Sequence, residues 1–159
     1  MVEIGLRMAT SSDVPALLDL MEDFNALEQI PWSRVTCAPA LARLLGDPSL
    51  GFVGWLVREE ARVGYVVLTW GYDLEWSGRD AFLTEIYLVP TARGKGLGAL
   101  AIAEVERVAR EHGARALHLM VRPENTVAVR MYERAGYRDP GRLFLSLELW
   151  SCVNAKRTG

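Results

Sequence analysis

The stretch from Thr84 to Ala99, TEIYLVPTARGKGLGA, constrains the fold of this chain more than any other. An apolar run typical of a strand stops at a proline, and a helical pattern follows the glycine-rich segment Arg93 to Gly98. A helix that begins directly after such a loop presents unpaired backbone N–H groups and a partial positive charge. Glycines let a bulky anion approach these amides, and the arginine and lysine of the loop add formal charge. The stretch therefore predicts a binding site for a phosphate or pyrophosphate.

Composition places the chain among soluble globular proteins. It has 159 residues, of which 50% are hydrophobic and 24% charged, which is typical of one domain with a sizeable core. The chain has eighteen basic and twenty acidic residues, without long runs of either sign. We therefore expect neither a nucleic-acid partner nor a membrane surface as a partner.

The location and redox state of the chain also follow from simple patterns. No segment approaches the roughly 18 consecutive apolar residues of a membrane span, and Glu3 and Arg7 interrupt the first apolar segment, which argues against a signal peptide. The two cysteines, Cys37 and Cys152, lack metal-ligand spacing. We expect a cytoplasmic protein with reduced thiols and no metal.

Periodicity and turn signals predict the element order β α α β β β α β α β. The predicted strands cover residues 2–8, 52–58, 62–70, 81–89, 114–121 and 143–150. The first predicted helix begins at residues 10–13, and the other three cover residues 38–45, 96–112 and 126–135. This order predicts a single α/β domain over residues 1–150, with a mixed sheet and helices on both faces, and a tail at 151–159. The glycine loop then lies at the carboxyl end of a central strand, where ligands bind in such sheets.

The glycine loop has two alternative interpretations on its own. It can be a tight turn with glycines that serve helix packing, or a dinucleotide site, because Gly94, Gly96 and Ala99 satisfy G-x-G-x-x-A. A dinucleotide site expects an acidic residue about 20 residues further on. No Asp or Glu lies between His112 and Pro123, and roughly half of the chain precedes the motif, so the pattern argues against that site.

Three further candidate residues also have structural interpretations. Tyr132 can be a helix tyrosine packed on the sheet. Glu85 can be a strand charge that is paired across the sheet or faces solvent. Asn125 is explained as the N-cap of the last helix, since asparagine is favoured at that position.

Two segments together resemble the sequence signature of the GNAT superfamily of N-acetyltransferases. One is Arg93-x-x-Gly96-x-Gly98 after a strand that ends in Pro90, and the other is Asn125-x-x-Ala128-x-x-x-Tyr132-Glu133-x-x-Gly136-Tyr137. Both lie in register with the predicted strands, so the resemblance covers residues 2–150. It implies a single GNAT-like domain whose mixed sheet is mostly antiparallel.

The resemblance also implies roles for individual residues. In GNAT enzymes the loop amides hold the pyrophosphate of acetyl-CoA, the strand backbone before the loop pairs with the pantetheine arm, and an asparagine side chain contacts that arm. The implied cofactor-binding residues are Leu88, Val89, Arg93, Gly94, Lys95, Gly96, Leu97, Gly98, Ala99 and Asn125. The Tyr132 position usually protonates the departing CoA thiolate, and Glu85 matches a position where many members carry a carboxylate base.

The implied activity is transfer of an acetyl group from acetyl-CoA to a primary amine of a small molecule or a peptide. We expect direct transfer, because no cysteine lies near either motif in the sequence to carry the acyl group. Family habit further suggests a homodimer. The alternative is a module of the same fold that binds acyl-CoA without turnover. The acceptor is not predicted, because variable loops form its pocket and a fold does not define a substrate.

Overall fold

The computed structural model describes residues 3–151 and contains one five-stranded sheet in the order β1-β2-β3-β4-β5. The strands are β1 (Gly5–Met8), β2 (Gly51–Arg58), β3 (Ala61–Asp73), β4 (Gly78–Leu88) and β5 (Leu117–Leu119). The helices are α1 (Val14–Leu27), α2 (Arg34–Gly46), α3 (Leu97–Glu111) and α4 (Thr126–Arg134). Neighbouring strands are antiparallel except β4 and β5, which are parallel. The predicted mixed and mostly antiparallel sheet is thus confirmed.

The sheet is covered on both faces, as the sequence predicts. Alternating residues of β3 point to opposite sides, as the pleat of a strand requires. Tyr65 and Val67 are buried in a core with α1 and α2. Val66 and Leu68 are buried in a second core with α3 and α4. Because both faces of β3 are buried, the central strands are fixed firmly between the helices and can position a site.

Several elements differ in extent from the prediction. Helix α2 begins at Arg34 rather than at residue 38, and β3 and β4 continue almost to the turn at residues 74–77. Strand β5 is limited to Leu117–Leu119, although residues 114–121 were expected to be extended. Strand β5 is the edge strand of the described sheet, with β4 as its one neighbour, so its pairing ends where the two strands separate.

The predicted last strand over Leu143–Trp150 is wrong. Residues 142–150, which we call the C-terminal arm, form neither a strand nor a helix and belong to no ladder among the described residues. The four leucines at alternate positions of the arm are 84–90% exposed. The period-two pattern is present, yet a strand needs a neighbour that supplies hydrogen bonds. Residue 2 of the first predicted strand and Cys152 lie outside the described residues.

No helix within residues 3–151 is long and apolar enough to cross a membrane.

Thr10 and Asp13 form the predicted capping box ahead of α1, with the Thr10 N–H donating to Asp13 Oδ2 at 2.8 Å. Gly113 follows α3 at φ +82°, as expected for a glycine that ends a helix.

Candidate active site

A β-bulge in β4 determines which way the candidate base points. Val67 of β3 pairs with Glu85, whereas the next residue, Leu68, pairs with Leu83, so Thr84 is an extra residue in β4. An extra residue in a strand of period two moves the following side chains to the opposite face. Leu83 accordingly packs towards α3, and Tyr87 packs towards α1. The bulge therefore turns Glu85 to the α1 face of the sheet.

Glu85 lies in a largely buried polar group with two partners that the sequence did not reveal. Burial raises the pKa of the Glu85 carboxyl to about 7, while side-chain hydrogen bonding from Asn25 of α1 and from Tyr65 of β3 opposes the rise. The Tyr65 hydroxyl has no partner of standard hydrogen-bond geometry, but it lies close enough to affect the carboxyl. Asn25 is held in turn by donating from Nδ2 to the Met21 carbonyl at 2.7 Å.

The phenol of Tyr65 stays protonated in this environment. Burial and the negative charge of Glu85 raise the pKa of Tyr65 far above its usual value. A protonated phenol and an amide are both hydrogen-bond donors, so they stabilise Glu85 when it is ionised. A carboxyl with a pKa near 7 exchanges protons readily at neutral pH, which suits a general base.

Strands β4 and β5 separate directly beyond the bulge. The last pair between them is Leu83 with Leu119, whereas β4 continues to Leu88. Beyond that pair, the side of β4 that faced β5 has no ladder partner within the described residues. An open strand edge can accept an extended ligand as if it were another strand.

The backbone groups at the end of β4 are only partly available. The Leu88 carbonyl accepts from Arg93 Nε at 2.8 Å, so it is reached by a side chain of the glycine loop. The Val89 N–H donates to the Val63 carbonyl at 2.9 Å, and the Val89 carbonyl accepts from the Ala92 N–H at 2.9 Å. Of the two residues, Leu88 thus offers a carbonyl that can be freed by moving one side chain.

The glycine loop presents its backbone to solvent at the start of α3. Gly94 and Gly96 both have φ of +73°, a region that favours glycine, and nothing lies within 4 Å of a Cβ built on either. Within residues 3–151, the amides of Gly94, Lys95 and Gly96 donate no hydrogen bond. Lys95 Nζ donates to the Thr91 carbonyl at 2.8 Å. Three backbone amides without a hydrogen bond thus lie directly before α3, and their role as a pyrophosphate site stays a prediction.

The remaining residues of the loop connect it to helix α4. Leu97 is fully buried beneath the loop, and Ala99 is exposed in the first turn of α3. A Cβ on Gly98 would lie 2.7 Å from Met131 Sδ of α4, so this glycine permits the close approach of the two helices. Gly98 thus has a packing function that the motif alone does not reveal.

Helix α4 presents Tyr132 and begins at Asn125. The Asn125 side chain accepts from the Ala128 N–H at 3.2 Å, which confirms the predicted N-cap. Tyr132 is 9% exposed, and its ring lies at 5.7 Å from that of Tyr137. Burial and the negative charge of Glu28 raise the pKa of Tyr132. The phenol is therefore protonated at neutral pH.

The last turns of α1 connect the two candidate catalytic groups. Asn25 lowers the pKa of Glu85, and Glu28, three residues later in the chain, raises the pKa of Tyr132. The Arg122 guanidinium, just after β5, lies 3.4 Å from the Glu28 carboxylate and also donates to the Glu28 backbone carbonyl. This pairing joins the end of α1 to the segment that leads into α4.

Two other features of the site qualify the sequence interpretation. Cys37 is remote from both motifs in the sequence, but the fold packs it in the same core as Tyr65, where it affects the Tyr65 pKa. The acidic Glu75 of the β3–β4 turn is bound by Arg142 at 2.7 and 3.1 Å, so its charge is compensated within the chain. Within residues 3–151, no cluster of three or more His, Cys, Asp or Glu could hold a metal ion.

Comparison with known proteins identifies the family. The model of the acetyltransferase (GNAT) family matches residues 17–137, so the chain belongs to the GNAT family and is an acetyltransferase. It is 34% identical to the thialysine N-epsilon-acetyltransferase of Bos taurus, covering 96% of this chain and 92% of the relative. It is 38% identical to the corresponding enzyme of Sus scrofa, covering 87% of this chain and 86% of that protein.

Solved structures agree with this assignment. An integron cassette protein from the mobile metagenome of Cole Harbour Salt Marsh superposes with a TM-score of 0.79 at 34% identity, covering 92% of this chain and 91% of that one. An aminoglycoside N-acetyltransferase in complex with CoA shares the fold with a TM-score of 0.74 at 16% identity, covering 94% of this chain and 97% of that one. Structures of this fold thus include one that holds CoA.

Proposed function

We propose that this chain transfers the acetyl group of acetyl-CoA directly to a primary amine of a small molecule or peptide, with Glu85 as the base and Tyr132 as the acid. The observation that carries the proposal is the position of the Glu85 carboxyl. The bulge orients it towards Asn25 and Tyr65 on the α1 face of the sheet, where its pKa is about 7. The bovine and porcine relatives are named for the ε-amine of thialysine, which supports a primary alkyl amine as the acceptor.

The base has a defined task. An alkyl amine has a pKa of roughly 10.4, so only about 0.04% is neutral at pH 7. Producing the neutral nucleophile is equivalent to roughly 4–5 kcal/mol at 1.36 kcal/mol per pH unit. Glu85 accepts the amine proton, directly or through a water. Asn25 and Tyr65 lie close enough to the carboxylate to lower its pKa, which stabilises the ionised form that accepts the proton.

The acid completes the proton balance. The new amide bond forms as the thioester bond breaks, and the departing sulfur needs one proton. A thiol has a pKa of roughly 8.5, below that of a phenol at roughly 10, so the phenol must be close and aligned. Tyr132 is protonated at neutral pH because burial and Glu28 raise its pKa. It gives its proton to the sulfur and regains one from solvent, while the proton on Glu85 returns to solvent.

The co-substrate is proposed to lie along one continuous segment. The amides of Gly94, Lys95 and Gly96, which donate no hydrogen bond within residues 3–151, and the N-terminus of α3 suit the pyrophosphate. The pantetheine arm suits the open side of β4, where release of Arg93 would free the Leu88 carbonyl and bring the guanidinium towards the phosphates. Val89 contributes less in this arrangement, because its backbone N–H and C=O are both already bonded.

Turnover of acetyl-CoA with a panel of primary amines, including thialysine, tests the proposed reaction by release of free thiol. We expect release that depends on the amine and is retained in Cys37→Ala, because direct transfer needs no acyl carrier. Absence of amine-dependent release, while CoA still raises the melting temperature, would contradict the reaction. An acetylated chain that forms without amine, and is lost in Cys37→Ala, would contradict direct transfer.

Tyr132→Phe should lower kcat by about 10²- to 10³-fold, because it removes one proton donor from the transition state. The KM for acetyl-CoA should change little, because the ring still packs in the core. Tyr137→Phe is the matched control: it removes the same atom from a neighbouring, half-buried tyrosine whose hydroxyl has no hydrogen-bond partner. Equal losses of kcat in the two variants would assign Tyr132 to packing.

Gly96→Glu should abolish binding of CoA, measured by calorimetry, because it adds bulk and negative charge where the pyrophosphate is proposed to bind. Gly113→Glu is the matched control, since Gly113 also has a positive φ and open space around its Cβ position. Both variants carry similar backbone strain, so only the location differs. Unchanged affinity for CoA in Gly96→Glu would rule out the loop as the pyrophosphate site.

A further inference from the structure

The ion pair between Arg122 and Glu28 lies beside both candidate catalytic groups. Asn25 is in the last turn of α1, and Glu28 ends that helix with helical backbone angles. Residues three apart share one face of a helix and are separated by about 4.5 Å along its axis. Asn25 is close enough to lower the pKa of Glu85, and Glu28 raises that of Tyr132. An acceptor whose amine reaches Glu85 from the α1 face therefore extends past this ion pair.

The Arg122 guanidinium is fixed in place but only partly engaged. Its Nη2 donates to the Glu28 backbone carbonyl, whereas its Nε approaches the Glu28 carboxylate only to 3.4 Å. Within residues 3–151, its Nη1 donates no hydrogen bond, and the Arg122 side chain is 52% exposed. Arg142, by contrast, binds both oxygens of Glu75 at 2.7 and 3.1 Å. Arg122 thus keeps donors in the geometry that a second carboxylate prefers.

An arginine next to a glutamate is complementary to the head group of a free amino acid. Such a head group carries a carboxylate and an ammonium on one carbon atom. The carboxylate can take the free donors of Arg122, and the ammonium can pair with the Glu28 carboxylate beside it. Exposed apolar side chains lie within two residues of the pair in the chain, as expected for contacts with methylene groups. They are Leu27 at 59%, Ile30 at 47% and Met120 at 63% exposure.

We propose that Arg122 and Glu28 bind the carboxylate and the ammonium of a free amino acid, so that its side-chain amine reaches Glu85. This assignment rests on the proposed function and narrows its acceptor to small zwitterionic amines. Arg122 is then a specificity-determining residue that takes no part in the proton transfers. A diamine is a poorer acceptor, because it brings a second ammonium towards a guanidinium, and a lysine inside a peptide lacks the carboxylate.

Lysine and lysinamide are a matched pair of acceptors that tests the assignment, because the amide replaces the carboxylate with a neutral group of similar shape. For acetylation of the side-chain amine, kcat/KM should be about 10- to 100-fold higher for lysine, since a charged hydrogen-bonded contact is lost in the amide. In Arg122→Gln, the value for lysine should fall to that for lysinamide. The value for lysinamide and the KM for acetyl-CoA should change little, which also shows that the variant is folded.

Arg7→Gln is the matched control. Arg7 forms an exposed ion pair with Glu60 at 3.1 Å and lies on β1, at the opposite edge of the sheet from β5. This variant should keep the preference for lysine. Equal kcat/KM for the two acceptors in the unmodified enzyme, or equal losses for both in Arg122→Gln, would overturn the head-group site while leaving the proposed reaction intact.

Binding without turnover separates this assignment from the reaction itself. Calorimetry of the enzyme saturated with CoA should show tighter binding of lysine than of lysinamide, and Arg122→Gln should abolish the difference. The same difference in an enzyme that transfers no acetyl group would contradict the proposed reaction and support the head-group site. Binding that is equal for the two ligands, or a difference that persists in Arg122→Gln, would overturn the site.

Discussion

The inserted residue Thr84 is the local constraint on which the candidate site depends. If Thr84 were instead paired in a regular ladder, the pleat of β4 would carry the side chain of Glu85 to the same face as Leu83, into the apolar core under α3. With it, the carboxyl faces Tyr65 and the end of α1. The pairing of β4 with β5 ends at Leu83, next to the same bulge. The bulge thus lies where the Glu85 side chain is oriented towards α1 and where the edge of β4 that is proposed to bind the co-substrate becomes open.

The buried carboxyl also affects the stability of the fold. The rise in the pKa of Glu85 from 4.5 to about 7 corresponds to about 3 kcal/mol of lost stability once the group is ionised in the folded chain. Because the folded pKa is above the unfolded one, stability is full below about pH 4.5 and decreases as the pH rises through 7. Side chains from Asn25 and Tyr65 limit this cost. Strain of this kind is common where a group is held ready for chemistry.

Much of the fold followed from the sequence, because long periodic segments and turn residues specify their own elements. The strand, glycine loop and helix around Gly96 were predicted from the sequence, as was Asn125 as an N-cap, whereas anion binding by the loop stays a prediction. The bulge was not predictable, since a β-branched threonine is ordinary in a strand. Asn25, Tyr65 and Cys37 approach Glu85 or one another through tertiary packing alone. The arm was predicted as a strand from its alternation, but alternation alone does not provide the neighbouring strand that a ladder needs.

The central claim is that Glu85 is the base of direct acetyl transfer, and the pH dependence of kcat/KM for the amine tests it most directly. This ratio should rise about tenfold per pH unit below 7 and level off above it, because it reports the enzyme before the amine binds and only the ionised carboxyl accepts the proton. In Glu85→Gln, the ratio should be lower by about 10²-fold or more above pH 7 and the break near pH 7 should disappear. A Glu85→Gln enzyme that keeps both the break and nearly all of its rate would contradict the account.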